Sequence, residues 1–136
     1  MNTHILVPFD GSLPARHALE HALENFPEAE ITVLTVIDEI GYSTKYAAAE
    51  ETGQLFASAK QRLETADAIA DEYGVSIDCV ADIGPTCETI TEYAEDADVD
   101  HVVIGTHGRT GLSRIIVGSV AETVIRQSPS PVTAVK

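Results

Sequence analysis

The residues best suited to chemistry lie in a glycine-rich segment, residues 105–119, between a predicted strand and a predicted helix. A glycine-rich turn at the start of a helix exposes backbone N–H groups at the positive end of the helix dipole, where an anion is stabilised. Residues 101–121 contain no Asp or Glu but include Arg109 and Arg114. In an otherwise acidic chain, this segment predicts a phosphate site.

Each residue of this segment has two possible roles. Gly105 and Gly108 could let a ligand approach where a Cβ would block it, or they could serve only tight packing. Gly118 and Ser119 precede the predicted helix, so their N–H groups and the serine hydroxyl could bind one phosphate, but Ser119 could equally be a simple N-cap. Arg109 could neutralise phosphate charge together with Mg²⁺ or Mn²⁺, or it could be a plain surface charge.

A second candidate is Asp10, which follows the first predicted strand. Its carboxylate would repel phosphates directly. Its better role is therefore to accept a hydrogen bond from a hydroxyl or amino group of a ligand, or to help hold a divalent cation. It could also merely cap the first helix.

Apolar strands alternate with amphipathic helices along the sequence. The predicted strands are residues 5–8, 30–37, 75–81, 101–104 and 131–135. The predicted helices run from an N-cap at Ser12 to Phe26, from about Tyr46 to Tyr73 with Gly74 as its stop, over residues 85–97, and over residues 120–126. Gly53 either splits the second helix or marks its start. This order indicates an α/β fold, a parallel sheet with helices on both faces, whose ligand crevice lies beyond the carboxyl ends of the first and fourth strands.

Length and charge restrict the class of protein. A chain of 136 residues is expected to form a single domain, residues 1–136, without a disulfide or metal staple. The net charge of −14 disfavours nucleic acid and anionic lipid as partners, and it would suit a host with a salty cytoplasm. No apolar run approaches the roughly 20 residues of a membrane span, so we expect a soluble, cytoplasmic protein. Cys79 and Cys87 have no zinc spacing and are expected to be inert thiols.

One motif is interpreted as a coincidence. His17 and His21 fit the H-x-x-E-H pattern of inverted zinc peptidases, but both fall on the polar stripe of the first helix and should face solvent. The glycine segment is neither a P-loop nor a G-x-G-x-x-G motif. No nucleophile or base has an orienting partner in the sequence. We therefore predict no catalytic residue and no metal site of the peptidase type.

The spacing Gly-x2-Gly-x9-Gly-Ser, at Gly105, Gly108, Gly118 and Ser119, resembles the nucleotide-binding signature of the universal stress protein family. Three further segments resemble motifs of that family, namely its first-strand motif, its second-strand end and the proline-rich approach to its last strand, at residues 7–12, 35–38 and 128–132. The resemblance covers essentially the whole chain.

The resemblance implies a three-layer fold with a five-stranded parallel sheet in the order 3-2-1-4-5, and ATP binding in the subclass that keeps the glycine motif. It also implies a homodimer through the last strand, Val132 to Val135. The residues that it implies for ATP binding are Pro8, Phe9 and Asp10 at the nucleoside, Val36 at the adenine, Ile104, Gly105 and Gly108 near ribose and phosphate, and Gly118, Ser119 and Val120 at the phosphates. Arg109 joins this set on the charge argument above.

The leading hypothesis is a stress-response protein that binds ATP with Mg²⁺ or Mn²⁺ and hydrolyses it slowly at most. One alternative is an interaction module that needs no nucleotide. The other is an ATP-using transferase or pyrophosphatase.

Overall fold

The structure, a computed structural model, describes residues 3–38, 49–106 and 119–136. Its strands are β1 (His4–Pro8), β2 (Glu30–Ile37), β3 (Asp78–Ile83), β4 (His101–Gly105) and β5 (Val132–Val135). Its helices are α1 (Leu13–Asn25), α2 (Ala49–Glu72), α3 (Thr86–Asp96) and α4 (Ser119–Gln127). Within the described residues, the five strands form one parallel sheet in the order β3-β2-β1-β4-β5. The predicted fold class and strand order are confirmed.

Helices cover both faces of the sheet and give the fold three layers. Neighbouring side chains of β1 point to opposite faces, as expected for a strand. Ile5 and Val7 pack in the core beneath α1 and α2, and Leu6 packs in the core beneath α3 and α4. All three side chains are fully buried. Burial on both faces explains why the central strands read as continuous apolar runs in the sequence.

The start of α1 follows the prediction. The Ala15 N–H donates to the Ser12 hydroxyl oxygen at 3.3 Å, so Ser12 is the N-cap, and Pro14 lies in the first turn. The predicted apolar face is buried, with Ala18 and Leu19 at its centre. This cap fixes where the chain leaves β1 and enters the helix.

The end of α2 also follows the prediction. Gly74 has a positive φ of 69°, its N–H donates to the Asp71 carbonyl, and the Val75 N–H donates to the Ala70 carbonyl. These two hydrogen bonds form a Schellman motif, which needs a residue that tolerates the left-handed region. At the other end, Tyr46 lies outside the described residues. Gly53 lies inside continuous helix, so it neither splits α2 nor marks its start.

The boundaries of β3 differ from the prediction. The predicted strand was residues 75–81, but β3 begins at Asp78, which pairs with Thr32 of β2. Val75 and Ile77 instead pack against the core beneath α1 and α2 before the strand begins. Their alternating apolar pattern therefore reports loop packing. The predicted position of β3 near a sheet edge is confirmed. No described helix is both long enough and apolar enough to cross a bilayer.

Candidate functional site

Pro8 separates β1 from β4 at their carboxyl ends. The Phe9 N–H donates to the Leu34 carbonyl of β2 at 2.8 Å. Backbone groups of successive strand residues face opposite sides, so position 8 faces β4, where proline has no N–H to donate. The pairing of β1 with β4 accordingly ends at Leu6 and Val102, whereas the pairing of β1 with β2 continues to Pro8 and Leu34.

A cavity of about 360 Å³ opens where the strands separate. Its walls come from the carboxyl ends of β1, β2 and β4 and from parts of all four helices. Its volume falls within the range of small-ligand sites, roughly 300–1,000 Å³. Seven of the eleven residues predicted to bind ATP line this cavity, namely Pro8, Phe9, Asp10, Val36, Ile104, Gly105 and Val120.

The structure tests only one of the other four predicted residues, Ser119. Gly108, Arg109 and Gly118 lie outside the described residues. Ser119 is described as the first residue of α4, where it is exposed and its carbonyl accepts a hydrogen bond from the Thr123 hydroxyl at 2.9 Å. The phosphate-binding roles of these four residues stay predictions.

Gly105 is required by the packing of α1 on β4. A Cβ at this position would lie 2.6 Å from the Ala15 nitrogen and would also overlap the Pro14 carbonyl. Backbone atoms cannot move aside as a flexible side chain can. Of the two roles considered for Gly105, tight packing therefore accounts for the glycine, and approach of a ligand to it stays a prediction.

Asp10 shapes the turn between β1 and α1. Its Oδ1 accepts a hydrogen bond from the Ser12 N–H at 2.9 Å, and Gly11 between them has a φ of 81°. This Asx-type turn brings Ser12 to its N-cap position. Asp10 is exposed and lines the cavity. A carboxylate has two oxygens, so one such bond is compatible with accepting another from a ligand.

A second carboxylate, Asp38, lines the cavity at the end of β2. The sequence placed Asp38 in a strand-end motif but not in the site. Its Oδ2 accepts hydrogen bonds from the Thr86 hydroxyl at 2.7 Å and from the Thr86 N–H at 3.3 Å. Pro85, the N-cap residue of α3, makes no capping bond of its own. Asp38 therefore ties the end of β2 to the start of α3 and fixes one wall of the cavity.

The middle of α2 supplies a wall that sequence reasoning missed. Leu55, Ser58 and Arg62 line the cavity, three and four residues apart along one helix face. None of the three was predicted from the sequence to reach a ligand site. Their spacing was a usable signal for a shared face. That this face overlies the turn between β1 and α1 is a tertiary property, which the spacing does not contain.

The charged residues among those that line the cavity are Asp10, Asp38 and Arg62, around apolar side chains such as Val36 and Ile104. Such a site can hold an apolar ring, accept hydrogen bonds from hydroxyl or amino groups, and donate to an anionic oxygen. Across residues 3–38, 49–106 and 119–136, no three His, Cys, Asp or Glu side chains come together as a metal site.

The two histidines of the H-x-x-E-H motif lie on α1, away from the cavity lining. His17 is exposed, and its Nδ1 lies 2.8 Å from the Lys136 carbonyl oxygen. Nδ1 of His21 lies 3.3 Å from Nδ2 of Asn25. These contacts are those of histidines on a polar helix face.

A sequence profile described as the universal stress protein family matches residues 1–136 of the chain. The chain belongs to the universal stress protein family. Among curated members of the family, a universal stress protein of Methanocaldococcus jannaschii is 32% identical, with 100% of this chain and 96% of the relative covered.

Solved structures of universal stress proteins have the same fold. UspA from Lactobacillus plantarum is 26% identical, with a TM-score of 0.83 over 98% of this chain and 97% of that protein. A universal stress protein from Archaeoglobus fulgidus, solved in complex with dAMP, is 20% identical, with a TM-score of 0.74 over 100% of this chain and 98% of that protein. The second likeness concerns the fold alone.

Proposed function

We propose that this universal stress protein binds ATP, with Mg²⁺ or Mn²⁺, at the carboxyl ends of β1 and β4, and that the bound nucleotide regulates a partner in a stress response. One observation carries the proposal: seven residues expected at an ATP site from the sequence line a single cavity of ligand size. The dAMP complex of the Archaeoglobus fulgidus relative supports it, since dAMP is also an adenine nucleotide.

The cavity walls suit the parts of a nucleotide differently. Val36 and Ile104 offer apolar surface for a planar base. Asp10 can accept a hydrogen bond from a ribose hydroxyl, because an ionised carboxylate is only an acceptor. The phosphates would then extend toward the glycine segment, where the chain carries Arg109 and no acidic residue. A bound Mg²⁺ or Mn²⁺ would offset phosphate charge in this acidic protein.

The same walls suit binding better than turnover. The charged groups described in the lining are two carboxylates and one guanidinium, with no histidine or cysteine among them. Hydrolysis at an appreciable rate needs an aligned nucleophile and base. We therefore propose slow ATP hydrolysis at most, and a role in which nucleotide occupancy is the signal.

Isothermal titration of the folded protein with Mg-ATP, at low and at high salt, tests the proposal. We expect saturable binding that weakens in the variant Gly118→Ala, which changes the glycine motif. Gly53→Ala is the matched control, since a Cβ at Gly53 meets nothing within 4 Å and the position lies outside the cavity lining. Absence of binding, or equal binding by all three proteins, would rule out the glycine-motif site.

Mass spectrometry of ligand released from freshly purified protein separates this proposal from a nucleotide-independent interaction module. Co-purified ATP, ADP or AMP is expected here, whereas the module predicts none. A transferase or pyrophosphatase would instead form product from ATP and a second substrate.

We further propose a homodimer through β5 (Val132–Val135), an edge strand of the sheet. The Val102 N–H donates to the Pro131 carbonyl, so by strand alternation the backbone groups of Val132 and Ala134 face away from β4. Ala134→Pro removes one outward N–H and should shift the protein to a monomer in light scattering. Ala29→Ser, far from β5 in sequence, serves as the control. A dimer that survives Ala134→Pro would exclude pairing through β5.

A further inference from the structure

Arg62 is a charged residue that the family resemblance did not assign to the site. It lies in the middle of α2, is partly buried, and lines the cavity together with Leu55 and Ser58. Lys60, two residues earlier, lines a different groove, on the side of α2 that faces β3. The two cations of this helix therefore face different surfaces.

The stem of Arg62 lies beside the turn between β1 and α1. Its Cγ is 3.6 Å from the point where a Cβ would stand if residue 11 were not glycine. Gly11 follows Asp10 directly, and Asp10 lines the same cavity. Arg62 therefore lies beside the acidic end of the site, next to the turn that carries Asp10.

Arg62 and Asp10 share the cavity without forming an ion pair. In the described part of the chain, the guanidinium has no carboxylate oxygen within 4.0 Å, although acidic residues outnumber basic ones by 22 to 8. Asp10 is instead engaged by the Ser12 N–H. A ligand that satisfies both groups offers hydroxyl or amino donors to Asp10 and anionic oxygens to Arg62. The sugar–phosphate part of a nucleotide has this combination.

We infer that Arg62 binds a phosphate oxygen of the nucleotide, so that α2 distinguishes nucleotides from nucleosides. The inference rests on the proposed function and adds a residue to it. A guanidinium suits this task because its planar N–H groups can donate two parallel hydrogen bonds to a phosphate and stay charged at any physiological pH.

Titration of adenosine, AMP and Mg-ATP into the wild-type protein and three variants tests the inference. In Arg62→Gln we expect affinity for AMP and ATP to fall by about 10- to 100-fold, and adenosine affinity to change less than about twofold. Lys60→Gln removes the same charge from the same helix outside the cavity, so it controls for the long-range field of an acidic protein. Arg62→Lys keeps the charge and should retain part of the phosphate-dependent affinity.

Three outcomes would overturn the inference. Equal losses for adenosine and ATP would mean that Arg62 only shapes the cavity or stacks on the base. Equal losses in Lys60→Gln and Arg62→Gln would mean that net charge alone matters, and unchanged affinities in Arg62→Gln would mean that it contacts no ligand. If wild-type protein binds none of the three ligands, the proposed function fails too, which the wild-type titration reveals by itself. Thermal unfolding of each variant verifies that Arg62→Gln and Arg62→Lys are folded.

Discussion

The side chain of Asp38, which follows β2, caps the first turn of α3 at Thr86. Its Oδ2 lies 2.7 Å from the hydroxyl oxygen of Thr86 and 3.3 Å from the Thr86 nitrogen. This one carboxylate oxygen therefore accepts both hydrogen bonds at the start of α3. A negative charge at a helix N-terminus is also favoured by the helix dipole. The contact joins the end of β2 to the start of α3, which are far apart in sequence. Both of its residues line the cavity.

The first prediction follows from this contact. Asp38→Ala should lower the free energy of unfolding by about 1 kcal/mol, because the first turn of α3 loses its side-chain acceptor. Asp38→Asn should lower it less, since the amide keeps an acceptor oxygen. Urea denaturation measures both values. Glu92→Ala, an exposed acidic residue in the middle of α3, is the control, and an equal effect there would argue against capping by Asp38.

Two buried threonines on β2 give the second prediction. Thr35 Oγ1 is fully buried and has no hydrogen-bond partner among the described residues. The Thr32 hydroxyl lies 2.8 Å from Nε2 of His4. Thr35→Val should stabilise the protein by about 1 kcal/mol, and Thr32→Val should destabilise it by about 1 kcal/mol, because only the second change removes a hydrogen bond and leaves the partly buried His4 ring without that partner. Chemical denaturation compares the two, and a Thr35→Val variant as unstable as Thr32→Val would refute the account.

The third prediction concerns two glycines whose surroundings differ, Gly105 in a tight backbone contact and Gly53 in open space. Gly105→Ala should destabilise the protein by about 1–3 kcal/mol, because the new methyl group would overlap the backbone of Pro14 and Ala15. Gly53→Ala, in the exposed second turn of α2, should stabilise it by about 0.5–1 kcal/mol through helix propensity. Thermal or urea unfolding gives both signs. A stable Gly105→Ala protein would mean that α1 can move away from β4.

The fourth prediction is a loss of stability in alkali. Partial burial, together with the hydrogen bonds to Glu24 and Glu20 and their negative charge, raises the pKa of Tyr73 to about 12. The ordinary pKa is 10.0, so the neutral phenol is favoured in the folded state, and its contribution is complete below pH 10. It should be lost as pH rises from about 10 to about 12. Unfolding free energies measured across this range should fall less steeply in Tyr73→Phe, and parallel curves would contradict the assignment.

Local signals in the sequence were enough for most of the fold. The N-cap at Ser12 and the helix stop at Gly74 depend on hydrogen bonds between residues that are close in the chain. Both could therefore be predicted from the local sequence. The start of β3 was wrong because Val75 and Ile77 pack like strand residues without pairing like them. An alternating apolar pattern records which side chains are buried, and pairing with β2 depends on geometry beyond the segment.

The candidate site divides in the same way. Residues at strand ends, such as Pro8, Val36 and Ile104, could be placed together because parallel strands end at one edge of a sheet. Asp38 follows β2 and could have been added by the same rule that selected Asp10 after β1. Arg62 could not be placed there, because its position depends on how α2 packs across the sheet, and an arginine on a helix is an ordinary surface residue.

Pro8 has a consequence for the energetic cost of binding any ligand between β1 and β4. Because proline has no N–H, the central strand β1 lacks one backbone donor toward β4. The separation of the two strands is therefore present without a bound ligand. Ligand binding there breaks no hydrogen bond between β1 and β4, so the protein needs little reorganisation free energy to bind. Pro8→Val restores the N–H donor and would allow β1 and β4 to form hydrogen bonds up to their carboxyl ends.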